Sequence, residues 1–376
     1  MADRSHRPRK RRLRINILTS GRFHVLDLAR ELVVLGHDVH LYSYLPKHRV
    51  ARFGFEKDRA HCCLAAAPFA WAIHYGRSAK QRIKAQLRAN ELLDEWAAQT
   101  MRPSDVLIAM SGIGLTSIRS FSGLTFLERG STHIVHQHEQ LIRGGQPIPT
   151  SIIARELRGY ETTDRIVVPS RFAWNTFIAH GVPESKLRLN PYGVDTEVFA
   201  PVPCTRSSIP SILMVGTWGY QKGSDLLTAA WSKMRGVKLV HAGKVDDVRL
   251  PRSPNFTHLG FLRQTELPKV YGRAWVSALV SRQEGLAVVQ LQSLACGLPL
   301  VCSEAAGGGD LTELGADPDS VLVANNEDID DIREKLEMAI ERQSGRTDRQ
   351  PLIPASSASW NAYASRYEQL IYDEWN

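Results

Sequence analysis

No apolar run in this 376-residue chain is long enough to cross a bilayer. The longest, Cys62 to Ile73 (CCLAAAPFAWAI), falls short of the roughly 20 residues a spanning helix needs, and Pro68 interrupts it. No transmembrane helix is expected. The positive charges near the N-terminus are not followed by an apolar stretch, because RRLRINILTS turns directly into a strand-like run. That is not a secretory signal, and a cytoplasmic location is the expectation. Cysteine is scarce. Cys62, Cys63, Cys204, Cys296 and Cys302 form no CxxC pair and are odd in number, which disfavours structural zinc and a disulfide framework and agrees with a reducing compartment. A dinucleotide fingerprint is missing too. TSGRFHVLDLA contains no GxGxxG, and the second strand closes on Tyr42-Ser43 where a ribose-binding acid would stand, so a dehydrogenase reading fails.

The length predicts two domains, and a composition of 43% hydrophobic and 23% charged residues is that of an ordinary globular protein. The net charge of +8 is concentrated at one end. Residues 1 to 14 carry Arg4, Arg7, Arg9, Lys10, Arg11, Arg12 and Arg14 against Asp3 alone, leaving +2 for the other 362 residues. Residues 1–13 read as a basic disordered arm, either merely solvated or drawn to an anionic membrane surface. Nucleic acid is not expected as a partner, since the body is nearly neutral and does not interleave aromatic with basic residues.

Apolar runs rich in β-branched residues alternate with helical-period segments, the pattern of βαβ units. In the first half they are Arg14 to Thr19, Asp38 to Tyr42, Asp105 to Met110, Leu124 to Leu127 and Arg165 to Val168. In the second half they are Ile212 to Val215, Val237 to Ala242, Phe256 to Leu259, Trp275 to Leu279, Leu300 to Cys302 and Val321 to Val323. The fold class is therefore α/β, with two Rossmann-like, doubly wound parallel sheets. Leu187 to Thr205, with Pro201, Pro203 and a Ser-rich end, reads as a linker. The domains expected are residues 14–190 and 191–355, followed by a closing helix over 356–376. Its Trp360, Tyr363, Tyr367, Leu370 and Ile371 recur at helical spacing and need a surface to cover them.

Two segments carry the chemistry. In VSRQEGLAVVQLQSLACGLPLVCS (Val280 to Ser303), a strand gives way to Glu284-Gly285-Leu286 and then to a helix. An anion accepted by the N–H groups of Leu286 and Ala287 would sit at the carboxyl end of that strand, and Glu284 would hold hydroxyls of an attached sugar. In VGTWGYQKGSDLL (Val215 to Leu227), Lys222-Gly223 again precedes a helix, and an ammonium there suits a diphosphate. The alternatives are an acid at a helix start and a solvated lysine. Gly21, after the first strand, fits a tight turn or a phosphate cradle.

These segments, with NPYGVDTEVFAP (Asn190 to Pro201), Phe256 to Leu311 and SWNAYASRYEQLI (Ser359 to Ile371), resemble the retaining, nucleotide-sugar-dependent glycosyltransferases of family four. The resemblance implies the GT-B architecture, with the two domains facing across a cleft, the donor held by the C-terminal domain and the acceptor by the N-terminal one. It implies that the last helix packs back on the N-terminal domain. It places Lys222 on the donor diphosphate, Glu284 on the transferred sugar as the first glutamate of an E-x7-E motif, and Gly285, Leu286 and Ala287 in the phosphate loop. The second glutamate falls at Gln292 and the arginine that precedes the lysine falls at Thr217, two departures from the pattern. Gln292 keeps hydrogen-bonding capacity toward a ribose. The resemblance implies an active-site histidine within FLERGSTHIVHQHEQL (Phe126 to Leu141), where His133, His136 and His138 are all available; Glu128, Arg129 and His133 are the candidate catalytic residues beside Glu284. His136 and His138 have a spacing that metals also use, but no third ligand cluster is visible and no metal or other cofactor is expected.

The activity implied is transfer from a UDP- or GDP-sugar to a saccharide or lipid-linked acceptor with retention of configuration, in cell-surface polysaccharide or glycolipid synthesis. A lipid-linked acceptor would bring the protein to the inner face of the membrane as a peripheral protein. The rival readings are a non-catalytic GT-B binding partner, motivated by Thr217 and Gln292, and a sugar-nucleotide isomerase on the same fold.

Overall fold

A computed structural model describes residues 11–345 and 349–375. Residues 1–10, which hold most of the basic arm, lie outside the described residues. Leu13 is already buried, and its N–H donates to His37 Nδ1 at 3.2 Å.

The first sheet contains β1 (Arg14–Leu18), β2 (Asp38–Ser43), β3 (Ala60–Cys62), β4 (Val106–Met110), β5 (Leu124–Glu128), β6 (Arg165–Val168) and β7 (Leu187–Leu189). Their order is β3-β2-β1-β4-β5-β6-β7. The second contains β8 (Ser211–Val215), β9 (Lys238–Ala242), β10 (Phe256–His258), β11 (Val276–Leu279), β12 (Leu300–Ser303) and β13 (Val321–Ala324), in the order β10-β9-β8-β11-β12-β13. The pairing is parallel, with Ile15 opposite Val39 and Val106 in the first sheet and Ile212 opposite Leu239 and Val276 in the second. Parallel strands are covered on both faces, so their sequences are continuous apolar runs, and Ile15, Ile17, Ile212, Leu213 and Met214 are all buried. The strand order reverses between β1 and β4 and again between β8 and β11. Ligands of open parallel sheets bind at such switch points, beyond the carboxyl ends of the strands.

β3 and β7 have no counterpart in the sequence reading. Each has 3 residues and no β-branched one to mark it, and β7 occupies the start of the expected linker.

Contacts divide the described residues into two compact units. One lies within Met1–Glu128, Thr150–Val167 and Tyr367–Asn376, the other within Arg129–Pro149 and Val168–Arg366. Segments 129–149 and 168–190 fall within the second unit. The closing helix, Trp360–Trp375, buries its aromatic stripe. Within the first unit, Tyr367 meets Phe126 edge-on at 5.6 Å, Glu368 bonds His37 at 3.0 Å and Glu374 pairs with Arg165. Within the second, Tyr363 packs edge-on against Tyr192 at 6.0 Å, and the Arg366 guanidinium donates to Asn190 Oδ1.

Candidate active site

The loops that follow β8 and β11 flank the switch point of the second sheet, and their backbones touch. Gly223 precedes the helix Ser224–Ser232 in the left-handed region, at φ 68°, and a Cβ there would lie 2.0 Å from the carbonyl oxygen of Val280. Only glycine fits both the conformation and the approach. Arg282 locks the two loops together. Its N–H donates to Gln221 O at 2.9 Å, and its guanidinium grips Asp225 with two bonds of 2.7 Å, donates to Tyr220 O at 2.7 Å and lies 3.9 Å from the Tyr220 ring centre. Burial pushes the Asp225 carboxyl up, but the Arg282 pair outweighs it and holds the group below the usual range. The Tyr220 N–H donates to Asp247 Oδ1 at 2.9 Å.

This frame sets Lys222 against Glu284. Their ammonium and carboxylate form an ion pair, with side chains 22% and 14% exposed. The Glu284 N–H donates to Ala305 O at 2.9 Å, fixing the end of the loop. The helix Val288–Ala295 then begins without a side-chain cap, Ala287 standing at the cap position, so its first N–H groups have no side-chain acceptor. Cation, carboxylate and uncapped helix end thus converge beyond the ends of two neighbouring strands, β8 and β11, an arrangement that suits a diphosphate carrying a polyol.

Residues 129–133 and 168–172 belong to the same unit and close on this loop. A Cβ on Gly285 would meet Gly130 O at 2.5 Å and Pro169 Cγ at 2.9 Å, and the Gly285 carbonyl accepts from Ser170 Oγ at 2.6 Å. Buried Gln283 donates to Thr132 Oγ1 at 2.9 Å and to Ser131 Oγ, and accepts from Gln221 Nε2 at 3.0 Å. Sequence reasoning missed Gln283, Ser170 and Arg282. The first two join segments more than 100 residues apart, and no local pattern marks such ties. Arg129, also buried, donates to Thr132 O at 3.0 Å and Gln137 Oε1 at 2.6 Å.

His133 caps the helix Ile134–Ile142, its Nδ1 accepting from the Val135 N–H. Its ring stacks on His180 at 4.4 Å and meets Phe177 edge-on at 5.1 Å. Burial, aided by His180, Arg129 and His136, pushes it down to about 3. The imidazole is therefore neutral at ordinary pH, a hydrogen-bonding group and not a proton shuttle. His136 and His138 diverge, as residues two apart on a helix must. His136 meets Phe172 edge-on at 5.8 Å, while His138 Nδ1 accepts from the Ile148 N–H at 3.0 Å. Among the described residues no three His, Cys, Asp or Glu side chains are grouped as a metal site.

A cavity of about 220 Å³ lies beside the loops, lined among others by His136, Gln140, Phe172, Tyr220, Arg282 and Glu304. A larger one, about 550 Å³, is lined by Phe199, Ala295, Leu352, Pro354 and neighbours but by none of the predicted site residues.

The remaining expected residues have other surroundings. Glu128, ending β5 in the first unit, is buried against His24 Nε2 at 2.7 Å, a partner not foreseen. Gly21 lies in the first unit, in the turn after β1, where its N–H meets Thr19 Oγ1 at 3.4 Å. Thr217 is exposed. Gln292 is 5% exposed, and its Oε1 accepts from Tyr271 Oη at 3.2 Å.

The neutral burial of His133 makes a prediction about stability. Its native pKa lies below the unfolded value near 6.5, so on acidification the unfolded chain takes up the proton first. His61, in β3, is pushed to about 4 by burial and by His40, and acts in the same direction. Stability should be level above pH 6.5 and fall below it, each such group contributing up to about 1.4 kcal/mol per pH unit until its native pKa is reached. Denaturant melts across that range check this, and a midpoint that rises on acidification would contradict it.

Residues 22–198 match Glycosyltransferase Family 4, and residues 209–342 match Glycosyl transferases group 1. The chain belongs to the family 4 glycosyltransferases. A sulfoquinovosyl transferase of Arabidopsis thaliana is 27% identical over 192 residues, covering 47% of this chain and 38% of that one. A GDP-mannose-dependent alpha-(1-6)-phosphatidylinositol monomannoside mannosyltransferase of Mycobacterium tuberculosis is 24% identical over 253 residues, covering 60% and 63%. This family 4 chain thus matches less than two thirds of the length of either relative. The Anabaena protein HepE, solved with UDP-glucose, superposes with a TM-score of 0.67 at 12% identity over 96% of this chain and 100% of its own, a likeness of fold.

Proposed function

We propose that the chain transfers a sugar from a nucleoside diphosphate sugar to an acceptor hydroxyl with retention of configuration. The observation that carries this reading is the Lys222–Glu284 ion pair beside an uncapped helix end at the sheet's switch point. As the glycosidic bond breaks, negative charge grows on the departing diphosphate. Lys222 and the N–H groups around Leu286 and Ala287 neutralise it without a metal ion. Glu284 orients hydroxyls of the transferred sugar, and Gly285 lets the loop approach closely. The acceptor hydroxyl attacks from the face the diphosphate leaves, so no enzyme carboxylate is needed on the opposite face. Arg129 and neutral His133 shape the acceptor side.

The donor class is a UDP- or GDP-sugar. A relative named for GDP-mannose and a structural neighbour solved with UDP-glucose support that range. The acceptor is a saccharide or a lipid-linked group, in cell-surface polysaccharide or glycolipid synthesis, and a relative named for a phosphatidylinositol mannoside supports the lipid option. Such an acceptor is met by a peripheral protein at the cytoplasmic face of a membrane. Screening sugar nucleotides for the one that raises the melting temperature most, then following release of its diphosphate with and without acceptors, tests the reading. If no sugar nucleotide shifts the melt, the reading is overturned.

A second reading, a non-catalytic binding partner, is favoured by Gln292, whose side chain is engaged by Tyr271, and by Thr217 in place of a cation. Gln292→Glu separates the two. Burying a carboxylate with one hydroxyl donor should lower stability by about 1–3 kcal/mol in either case. If this position holds a ribose, the same change tightens nucleotide binding several-fold, about 1 kcal/mol, through a charge-assisted bond. Isothermal titration with UDP and GDP reads the difference, and unchanged affinity supports the non-catalytic protein.

A further inference from the structure

The longest apolar run and a purely basic segment follow one another in the sequence, and the structure packs them side by side on the first unit. Cys62 to Tyr75 contains no Asp, Glu, Lys or Arg. Its helix Ala67–Tyr75 is nonetheless turned outward: Trp71 is 65% exposed and Tyr75 67%, Ala67 and Pro68 are exposed as well, and Leu64, in the turn just before the helix, is 77% exposed. The Trp71 and Tyr75 rings stack on each other at 5.0 Å. The next helix, Ala79–Thr100, packs against this one and is firmly started by a reciprocal cap between Ser78 and Gln81. From Gly76 to Arg88 the chain holds Arg77, Lys80, Arg82, Lys84 and Arg88 and no acidic residue. All five are exposed, and among the described residues only Arg88 pairs with a carboxylate, that of Glu91.

We infer that this face is a docking surface for an anionic lipid bilayer, with Leu64, Trp71 and Tyr75 entering the interface and Arg77, Lys80, Arg82 and Lys84 lying over the headgroups. An exposed apolar patch of this kind is uncommon on a protein that meets only water. Its aromatic side chains are of the type that settles at a membrane boundary. A row of cations that, among the described residues, meet no carboxylate is complementary to an anionic surface, although the Arg82 guanidinium donates to Gly76 O at 3.0 Å. An apolar wedge or a basic patch alone is a weak and reversible anchor, whereas the two together give stable attachment. The inference rests on the lipid-linked acceptor in the reading above, and it gives that acceptor a place to be presented.

The test uses the full chain and co-sedimentation with vesicles of phosphatidylcholine, or of phosphatidylcholine mixed with phosphatidylglycerol, at low and high salt. Wild type should bind the anionic vesicles strongly and lose much of that binding in salt. Trp71→Ser with Tyr75→Ser should weaken it by about tenfold or more at every salt concentration. Lys80→Gln with Lys84→Gln should weaken binding at low salt and flatten the salt dependence. These positions are exposed, so melting temperatures and nucleoside diphosphate affinity should stay at wild-type values. Equal binding by all three proteins would overturn the inference. So would a wild-type dimer that Trp71→Ser with Tyr75→Ser makes monomeric, since the face would then belong to a second copy. Wild type that binds nucleoside diphosphate but no anionic vesicles counts against this surface alone, and wild type that binds the vesicles but no nucleotide counts against the donor site alone.

Discussion

Lys222→Ala is expected to lower donor turnover, followed as release of the nucleoside diphosphate, by about 10²–10³-fold, the loss typical when one donor to a developing anion is removed. The ammonium acts twice. It binds the diphosphate before reaction, where a charge-assisted hydrogen bond contributes about 1.5–3 kcal/mol. It then meets the additional charge that appears as the bond to the sugar breaks, so kcat should fall along with the loss of affinity. The substitution also leaves the Glu284 carboxylate, 14% exposed, without its cation. A lower melting temperature is therefore expected, by an amount that leaves unfolding cooperative. Loss of cooperative unfolding would mean that the pair holds the fold together and has no donor role.

Glu284→Gln should abolish most transfer by a different route, and the contrast is diagnostic. In the free protein Lys222 is engaged by Glu284, and a diphosphate must compete with that carboxylate while being repelled by it. Neutralising Glu284 frees the ammonium and removes the repulsion. The bare nucleoside diphosphate should then bind several-fold tighter, about 1 kcal/mol. The intact sugar nucleotide loses the carboxylate that orients its hydroxyls, and turnover should drop by about 10²-fold or more. Opposite changes in affinity for the bare diphosphate, with turnover lost in both variants, are the signature expected of this site. Parallel weakening by both substitutions would instead point to a structural ion pair.

The sequence made the architecture legible because parallel strands, covered on both faces, appear as continuous apolar runs, as β1, β4, β8 and β12 do. β3 and β7 were invisible because each has 3 residues and none of them is β-branched. Lys222 and Glu284 could be found for a local reason: each lies in the loop between a strand and the helix that follows it. The ties that hold their loops were not legible, since Gln283 to Thr132 and Ser170 to Gly285 join distant segments. Gln292 shows a further limit. Spacing located the residue, but neighbouring helix positions differ by about 100° in direction, and packing decides where each side chain ends. Gln290 donates to Ala306 O while Gln292 meets Tyr271. The neutral state of His133 likewise depends on Phe177 and His180, more than 40 residues further along the chain.

Isothermal titration of UDP and GDP into the wild-type protein and into Lys222→Ala tests the donor site most directly. One of the two nucleotides should bind wild type and bind Lys222→Ala at least about tenfold more weakly, the least that loss of one charge-assisted bond implies. Binding of neither nucleotide to wild type, or equal binding to both proteins, would contradict the assignment.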